Sequence, residues 1–342
     1  MTGNFWRCVW VLGLLFLQVG TGYGRQIPCD DSLSLWQNRS VKTAIVAFVQ
    51  HVSDPDDAAY VPPEDRIVTI DMDGTLVCER PSPVAMVFAE SLLKELAEAP
   101  QLQGRLPYDA ARQDRLKSLR KNHFELFFGM SGAGLEEDAV RQKVRALARQ
   151  GRHPRFERPY RELFYRPMLQ LITYLMQNDF IVYVLSGSDQ TVVRTLCAER
   201  PELAGLPPAR FIGTLVALDV DYGTQGPVFY RLARELEPVN LRKGKALNIL
   251  YRIGQQPILA IGNSGGDCDM LAATLGSRYP STLRLLLRHD DDAREYAYPT
   301  TKKSSSPDRK GDTGLCRTRV GSDILSISMK DDFRQIFDLP AQ

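Results

Sequence analysis

The stretch Ile67-Val68-Thr69-Ile70-Asp71-Met72-Asp73-Gly74-Thr75 constrains the fold of this chain more than any other. Its β-branched run is too short for a helix and apolar throughout, which predicts a buried strand of a parallel sheet. The two aspartates stand two residues apart, so a regular strand turns both to the same side. Gly74 permits a sharp exit from the strand. Carboxylates at the C-terminal end of a sheet strand lie where open α/β sheets receive ligands. A plain Asp-rich turn is the alternative, because turn composition favours the same residues. The chemistry favours the first reading. One carboxylate can attack phosphorus and form an acyl phosphate while the second handles the proton of the leaving group. An anion attacking an anionic phosphate needs a cation between them, which implies Mg²⁺.

At 342 residues the chain is long enough for one main domain with an insertion. Its formal charge of +2 is too balanced to argue for a nucleic-acid partner. Residues 1–24 read as a signal peptide: Arg7 supplies positive charge, Val9 to Leu17 is apolar, and Gly20-Thr21-Gly22 offers small residues for cleavage. The expected location is therefore secreted or periplasmic, with no membrane span after cleavage. Removing Cys8 with that segment leaves Cys29, Cys78, Cys197, Cys268 and Cys316, an odd number with no metal-binding spacing. Cys29 and Cys316, both in terminal segments, are the expected pair if one forms. Asn38-Arg39-Ser40 is a glycosylation sequon, meaningful in a eukaryotic source.

Val41, Ala44, Ile45, Phe48, Val49 and Val52 recur at helical spacing, with Asn38 or Ser40 near the cap. From about Pro81 to Tyr160 the chain changes character. Charged, Leu- and Ala-rich segments predict helices over 84–98, 108–128 and 135–150, with no strand between them. The Gly129–Gly134 segment lacks a preceding strand and reads as a turn between helices rather than a phosphate loop. Arg152 to Arg161 reads as a solvated basic hinge, the alternative being arginines that meet an anionic substrate. The four histidines, His51, His123, His153 and His289, have no ligand spacing and read as structural or surface residues.

A helix over 166–178 leads to a second apolar strand, Phe180 to Leu185, ending in Ser186-Gly187-Ser188. Phe211 to Leu218 reads as a third strand and Asp219 to Pro238 as a surface hairpin or loop. Leu241-Arg242-Lys243-Gly244-Lys245 opens a helix and offers two lysines, either of which can offset charge between a nucleophile and a phosphate. At about 4 Å and an effective dielectric near 20, such a pair is worth about 4 kcal/mol before desolvation. Pro257 to Ile261 is a further strand, followed by the polar loop Gly262-Asn263-Ser264-Gly265-Gly266-Asp267. Asn263 can ligate Mg²⁺ through its carbonyl without adding charge, and Asp269 reads as a helix N-terminal charge. Residues 283–288 and 323–329 predict two later strands, with a polar loop over 300–314.

Taken in this order, Asp-x-Asp-Gly-Thr, Ser-Gly, Gly-Lys and Gly-Asn-Ser resemble the motifs of the haloacid dehalogenase superfamily of phosphohydrolases, in particular a secreted branch related to phosphoserine phosphatases. The resemblance runs from about Leu35 to Phe337. It implies an α/β fold, a Rossmann-like three-layer sandwich with a mainly parallel central sheet. The core would comprise residues 25–80 and 161–342, with a helical cap inserted at 81–160 that closes over the site. It also implies Asp71 as nucleophile and Asp73 as acid and base. Thr75, Ser186 and Gly187 would position the acid and the phosphate, and Mg²⁺ would be held by Asp71, Asp73, Asn263 and Asp267. The secreted branch carries its lysine as Gly-Lys, which favours Lys245, with Lys243 left open. That branch usually has Asp where this chain has Gly265. The implied activity is hydrolysis of a small phosphorylated substrate, phosphoserine- or phosphorylcholine-like. A phosphotransferase using the same intermediate and a non-catalytic binding protein are the alternatives. Glu79 lies near the place where phosphoserine phosphatases use a glutamate on the substrate amine, and it reads equally well as an exposed turn residue. Oligomeric state is left open.

Overall fold

The structure is a computed structural model, and it describes residues 33–122, 127, 129–298, 316, 321 and 323–338, the side chain of Arg120 excepted. The proposed signal peptide, Cys29, His123 and the 300–314 loop lie outside the described residues.

Strand β1 (Ile67–Asp71) is buried along its whole length. It pairs in parallel with β2 (Ile181–Asp189) on one side and β6 (Leu259–Gly262) on the other. The sheet continues through β3 (Phe211–Thr214) beside β2 and β7 (Leu283–Asp290) beside β6. Beyond β7 lie β9 (Leu325–Ser328), parallel to it, and the short β8 (Ala297–Tyr298), antiparallel to it. This is an α/β fold with a mainly parallel sheet. Because β2 and β6 flank β1, the connections turn in opposite directions from it. The crevice at the C-terminal end of β1 is therefore the switch point of the sheet. Around the sheet, α1 (Ser40–Ser53) buries Val41, Ile45, Phe48, Val49 and Val52, the stripe that the sequence spacing predicts. Its cap residue is Arg39, without a side-chain cap bond; Asn38 instead accepts from Lys42 at 3.1 Å.

Between β1 and β2 the chain forms α2 (Val84–Ala97), α3 (Tyr108–Arg112), α4 (Leu116–Asn122) and α5 (Glu137–Gln150). These bury a core of their own around Phe88, Leu92, Leu93, Phe127, Val140 and Val144. The single helix expected over 108–128 is broken after Arg112, where Asp114 adopts φ 51°. That left-handed value cannot continue a right-handed helix. After α6 (Arg166–Gln177), β2, α7 (Gln190–Cys197) and the short α8 (Pro201–Ala204), the strand expected over 211–218 divides at Leu215. Its first half stays in the central sheet. Its second half turns away as β4 (Val216–Gly223), which pairs with β5 (Gly226–Glu235) in a separate hairpin.

This hairpin ties the insertion to the core. Arg231 on β5 is buried and donates to Asp189 at 2.7 and 3.0 Å and to Glu137 of α5 at 2.7 Å. Asp189 at the end of β2 also caps α7 through Thr191 N and Val192 N. The Gly129–Gly134 turn packs here, with Gly134 N donating to Arg231 O at 2.8 Å. The basic run at 152–161 is largely neutralised locally: Arg155 lies beside Asp292, Arg158 beside Glu162 and Arg161 beside Glu199.

The pairing of Cys29 with Cys316 is not what the fold brings about. Cys316 is bonded to Cys268, with the Cα atoms 4.8 Å apart, beside a small apolar cluster around Ala260, Leu271 and Leu286. Sequence position hid this, because 48 residues separate the two cysteines and only the packing of the polypeptide after β7 brings them together. Cys78 and Cys197 are free and buried. Peptide mapping without reductant should find the Cys268–Cys316 bridge, with Cys78 and Cys197 alkylated only in denaturant. Reduction should lower the folding free energy by about 4 kcal/mol, the loop-closure entropy of a ring of this size. A map in which Cys316 bridges another cysteine would overturn this pairing.

Candidate active site

After Asp71 the backbone folds straight back on itself. Thr75 N and Leu76 N both donate to Met72 O, and Gly74 N donates to Val77 O. Gly74 has φ 79°, and a Cβ there would lie 2.0 Å from Asn263 Nδ2 and 2.6 Å from Glu79 Oε1, so only glycine fits. The turn places the Asp71 and Asp73 side chains in one cavity of about 470 Å³ at the C-terminal end of β1.

The two carboxylates have different surroundings. Asp71 accepts from Lys245 Nζ at 2.5 Å through Oδ1 and from Thr75 Oγ1 at 3.0 Å through Oδ2. Asp73 accepts from Ser186 Oγ at 2.7 Å and Ser188 Oγ at 2.8 Å, both on Oδ2. Its Oδ1 is buried and has no partner among the described residues. Burial is the largest influence on both carboxyls and raises both above the usual carboxylate range; for Asp71 the charge of Asp267 adds to it and Lys245 opposes it.

Lys245 lies in the first turn of α9 (Lys243–Arg252). Its ammonium is buried, 2.5 Å from Asp71 and 2.6 Å from Asp267. Burial works against its charge, but the carboxylates of Asp267 and Asp71 outweigh that and hold the lysine above its ordinary range. Lys243, two residues earlier, is exposed and does not line the cavity. The ambiguity between the lysines is thus decided by helix phase: positions i and i+2 point to different sides.

Asp267 belongs to the loop after β6. Its Oδ2 accepts from Asn263 N at 3.1 Å and Ser264 N at 3.0 Å, which turns Oδ1 towards Lys245. Gly265 opens the short 3-10 turn that carries Asp267, and Asp269 lies in the first turn of α10 (Cys268–Ala273). Asn263 donates through Nδ2 to Glu79 Oε1 at 3.0 Å. Gly187 also lines the cavity, where a Cβ would meet Leu241 at 2.1 Å.

The donor set suits a hard divalent cation. Asp71, Asp73 and Asp267 converge with one ammonium among them, so the cluster holds more carboxylate than its own cation offsets. Asp73 Oδ1 is an orphaned buried oxygen in the same place. Among the described residues no group of three or more His, Cys, Asp or Glu side chains is placed so that the group could hold a metal ion. Mg²⁺ does not require such a group, since it binds through one or two carboxylates and keeps several waters.

Two contributions escaped the sequence reading, the role of Ser188 and the place of His289, while Glu79, read there as either a contact to a substrate amine or an exposed turn residue, lines the cavity. Ser188 shares the hold on Asp73; its signal was the hydroxyl two residues after Ser186, on the same side of the strand. Glu79 is half-buried and lines the cavity, held by Tyr298 at 2.7 Å and raised above the usual carboxylate range chiefly by burial. His289 is fully buried behind the turn, with Nε2 2.7 Å from Gly74 O and Nδ1 3.1 Å from Glu295. A structural or surface role was expected of it; its position against the Gly74 turn was not readable, because 215 residues separate it from Gly74. Arg152, Arg155, Arg158 and Arg161 do not line the cavity.

No family model and no curated protein matches this sequence. Among solved structures, the chain is similar to a conserved functionally unknown protein from Anaerococcus prevotii DSM 20548, with 16% identity and a TM-score of 0.48 over 75% of this chain and 87% of the other. It is also similar to cytosolic 5'-nucleotidase IIIB bound to cytidine, with 13% identity and a TM-score of 0.41 over 87% and 91% of the two chains. A third similar structure is a probable phosphoserine phosphatase from Vibrio cholerae, with 16% identity and a TM-score of 0.36 over 77% and 68%.

Removing one partner of a buried charge cluster leaves the others uncompensated. Lys245→Met should therefore lower the urea midpoint, by about 3 kcal/mol in folding free energy, whereas Lys243→Met should change it by no more than about 0.5 kcal/mol. Equal midpoints for the two variants would contradict the assignment of Lys245 to the cluster.

Proposed function

We propose that this protein is a Mg²⁺-dependent phosphomonoester hydrolase that works through an aspartyl phosphate on Asp71. Its substrate would be a small phosphorylated metabolite, phosphoserine- or phosphorylcholine-like. The observation that carries this reading is the division of labour between two carboxylates on one turn. Asp71 has a lysine ammonium in direct contact, which favours its anion against the burial and the Asp267 charge that raise it. Asp73 is fixed by two serine hydroxyls on one oxygen, and its other oxygen is buried with no partner among the described residues, which suits a carboxyl that carries a proton.

In the first step a carboxylate oxygen of Asp71 attacks phosphorus. The bond from phosphorus to the ester oxygen breaks, and Asp73 gives its proton to that oxygen so that a neutral alcohol departs. In the second step Asp73, now ionised, takes a proton from a water molecule as its oxygen attacks phosphorus. The Asp71–phosphorus bond breaks, inorganic phosphate leaves and Asp71 returns as the carboxylate. Lys245 offsets negative charge at Asp71 throughout, and Thr75 holds the other oxygen of Asp71 in place. Ser186 and Ser188 orient Asp73, and Gly187 lets the phosphate approach the strand end closely. Asp71, Asp73, Asn263 and Asp267 are the residues that would hold Mg²⁺. Bound there, it would supply positive charge to the phosphate oxygens, so that an anionic nucleophile can reach phosphorus.

The same reading puts the mature protein in an oxidising, extracytoplasmic compartment. The apolar segment at Val9 to Leu17 and the Cys268–Cys316 bridge support this.

The test is phosphate release from a panel of phosphomonoesters, with Mg²⁺ and with chelator. The wild-type protein should release phosphate only with the metal. Asp71→Asn should lose more than about a thousandfold in turnover with an unchanged circular dichroism spectrum. Phosphate release by Asp71→Asn at the wild-type rate, in a preparation free of other phosphatases, would overturn the assignment of the nucleophile.

A further inference from the structure

One wall of the cavity is organised by contacts that the proposed reaction does not use. Glu295 is buried and accepts from Cys78 Sγ at 3.1 Å and from Tyr165 Oη at 3.0 Å, while His289 Nδ1 lies 3.1 Å away. The His289 imidazole stacks on Tyr298, with ring centroids 4.2 Å apart and planes at 18°. The Arg80 guanidinium carbon lies 4.1 Å from the centroid of the same Tyr298 ring. Two planar groups cannot occupy one face of a ring at that distance, so Tyr298 is sandwiched between imidazole and guanidinium. The Tyr298 hydroxyl is itself fixed on Glu79 at 2.7 Å. The backbone carbonyl of Arg80 is held by His153 Nε2 at 2.5 Å.

Arg80 is thus fixed at its backbone and across the face of its guanidinium, but not at its donors. Among the described residues its guanidinium has no hydrogen bond and no ion pair, and its Nε is buried without a partner. The carboxylate of the neighbouring Glu79 feels the Arg80 charge without bonding to it, its Oε1 being held by Tyr298 and Asn263. Arg80 lines the same cavity as Asp71 and Lys245. A rigidly placed cation with five donors and no hydrogen-bonded anion among the described residues is a preorganised receptor for a carboxylate or phosphate group.

We infer that Arg80 is a specificity-determining residue that binds a second anionic group, carboxylate or phosphate, on the alcohol portion of the phosphomonoester. The inference rests on the phosphatase reading of the site and deepens it. The phosphate to be hydrolysed lies at Asp71, the second anion lies against the free edge of the guanidinium, and the Tyr298 stack keeps that edge turned to the cavity. A substrate ending in a quaternary ammonium would bring a cation against Arg80 and be disfavoured.

The experiment compares matched substrates on the wild-type protein, Arg80→Gln and Arg80→Lys. Phenyl phosphate is set against 4-carboxyphenyl phosphate, and propyl phosphate against propane-1,3-diol bisphosphate, with phosphorylcholine as the cationic probe. In the wild type the anionic member of at least one pair should have a kcat/KM about tenfold or more above its neutral partner, through KM, with phosphorylcholine the poorest substrate. Whichever pair shows the preference identifies the anion as carboxylate or phosphate. Arg80→Gln should abolish the preference, and Arg80→Lys should retain the charge but lose the planar fork and keep only part of it. Equal effects of Arg80→Gln on both members of each pair, or no preference in the wild type, would overturn the inference. Calorimetric titration of the Asp71→Asn protein with the same pairs reads binding without turnover. If the wild type hydrolyses none of the esters, the phosphatase reading fails; preferential binding of the anionic members, lost in the Asp71→Asn/Arg80→Gln double variant, still upholds the Arg80 site, and equal or absent binding rejects it.

Discussion

The buried ammonium of Lys245 between Asp71 and Asp267 is the interaction on which the site depends. It joins three elements that are remote in sequence: the end of β1, the first turn of α9 and the loop after β6. Burying a lone ammonium or carboxylate costs several kcal/mol, so none of the three would be tolerated there without the others. The joining is incomplete in charge, with one cation serving a cluster that also includes Asp73. That residual negative potential, in a cavity open to ligands, favours a divalent cation together with a phosphate. Structure and chemistry make the same demand here, because the charge imbalance of the cluster is the one the proposed reaction would use.

Close approach of backbone is the second constraint. Gly74 must be glycine, because its Cβ would occupy the place of Asn263 and Glu79, and its φ belongs to the left-handed region. The turn it permits would be worthless if Asp73 could swing. Ser186 and Ser188 prevent that, and both belong to the end of β2, whose last residue, Asp189, is gripped by Arg231 of the hairpin. Glu137 at the start of α5 meets the same guanidinium. The β4–β5 hairpin therefore connects the helical insertion to the strand end that orients Asp73. On its own a two-stranded ribbon is marginally stable, and this one owes its place to that buried ion cluster.

The Arg80 side of the cavity is built by stacking and hydrogen bonding. Glu295, His289, Tyr298 and Arg80 form a sequence of contacts that begins in the fully buried interior and ends at the cavity. Each member restricts the next, and His289 also meets the carbonyl of Gly74. The Arg80 side of the cavity and the turn that bears Asp71 and Asp73 are thus set by one continuous network.

Much of this was legible in the residues alone. The strand Ile67–Asp71, its two carboxylates, the glycine after them and the parallel α/β sheet follow from a β-branched apolar run with period-two spacing, because those are local properties of a backbone and its side chains. The helices over 84–97, 137–150 and 166–177 follow from apolar periodicity in the same way. Other features depended on which distant segments meet. The phase of α9 relative to β1 chose Lys245 over Lys243. Packing after β7 joined Cys316 to Cys268, and the chain left the sheet at Leu215 to make a hairpin. Arg80, Tyr298 and His289 became one stack although nothing in their spacing announces it. Hydrogen bonds within a turn and the repeat of a helix are written in neighbouring residues, whereas the partner of a buried charge or ring is settled only when the whole sheet closes around it.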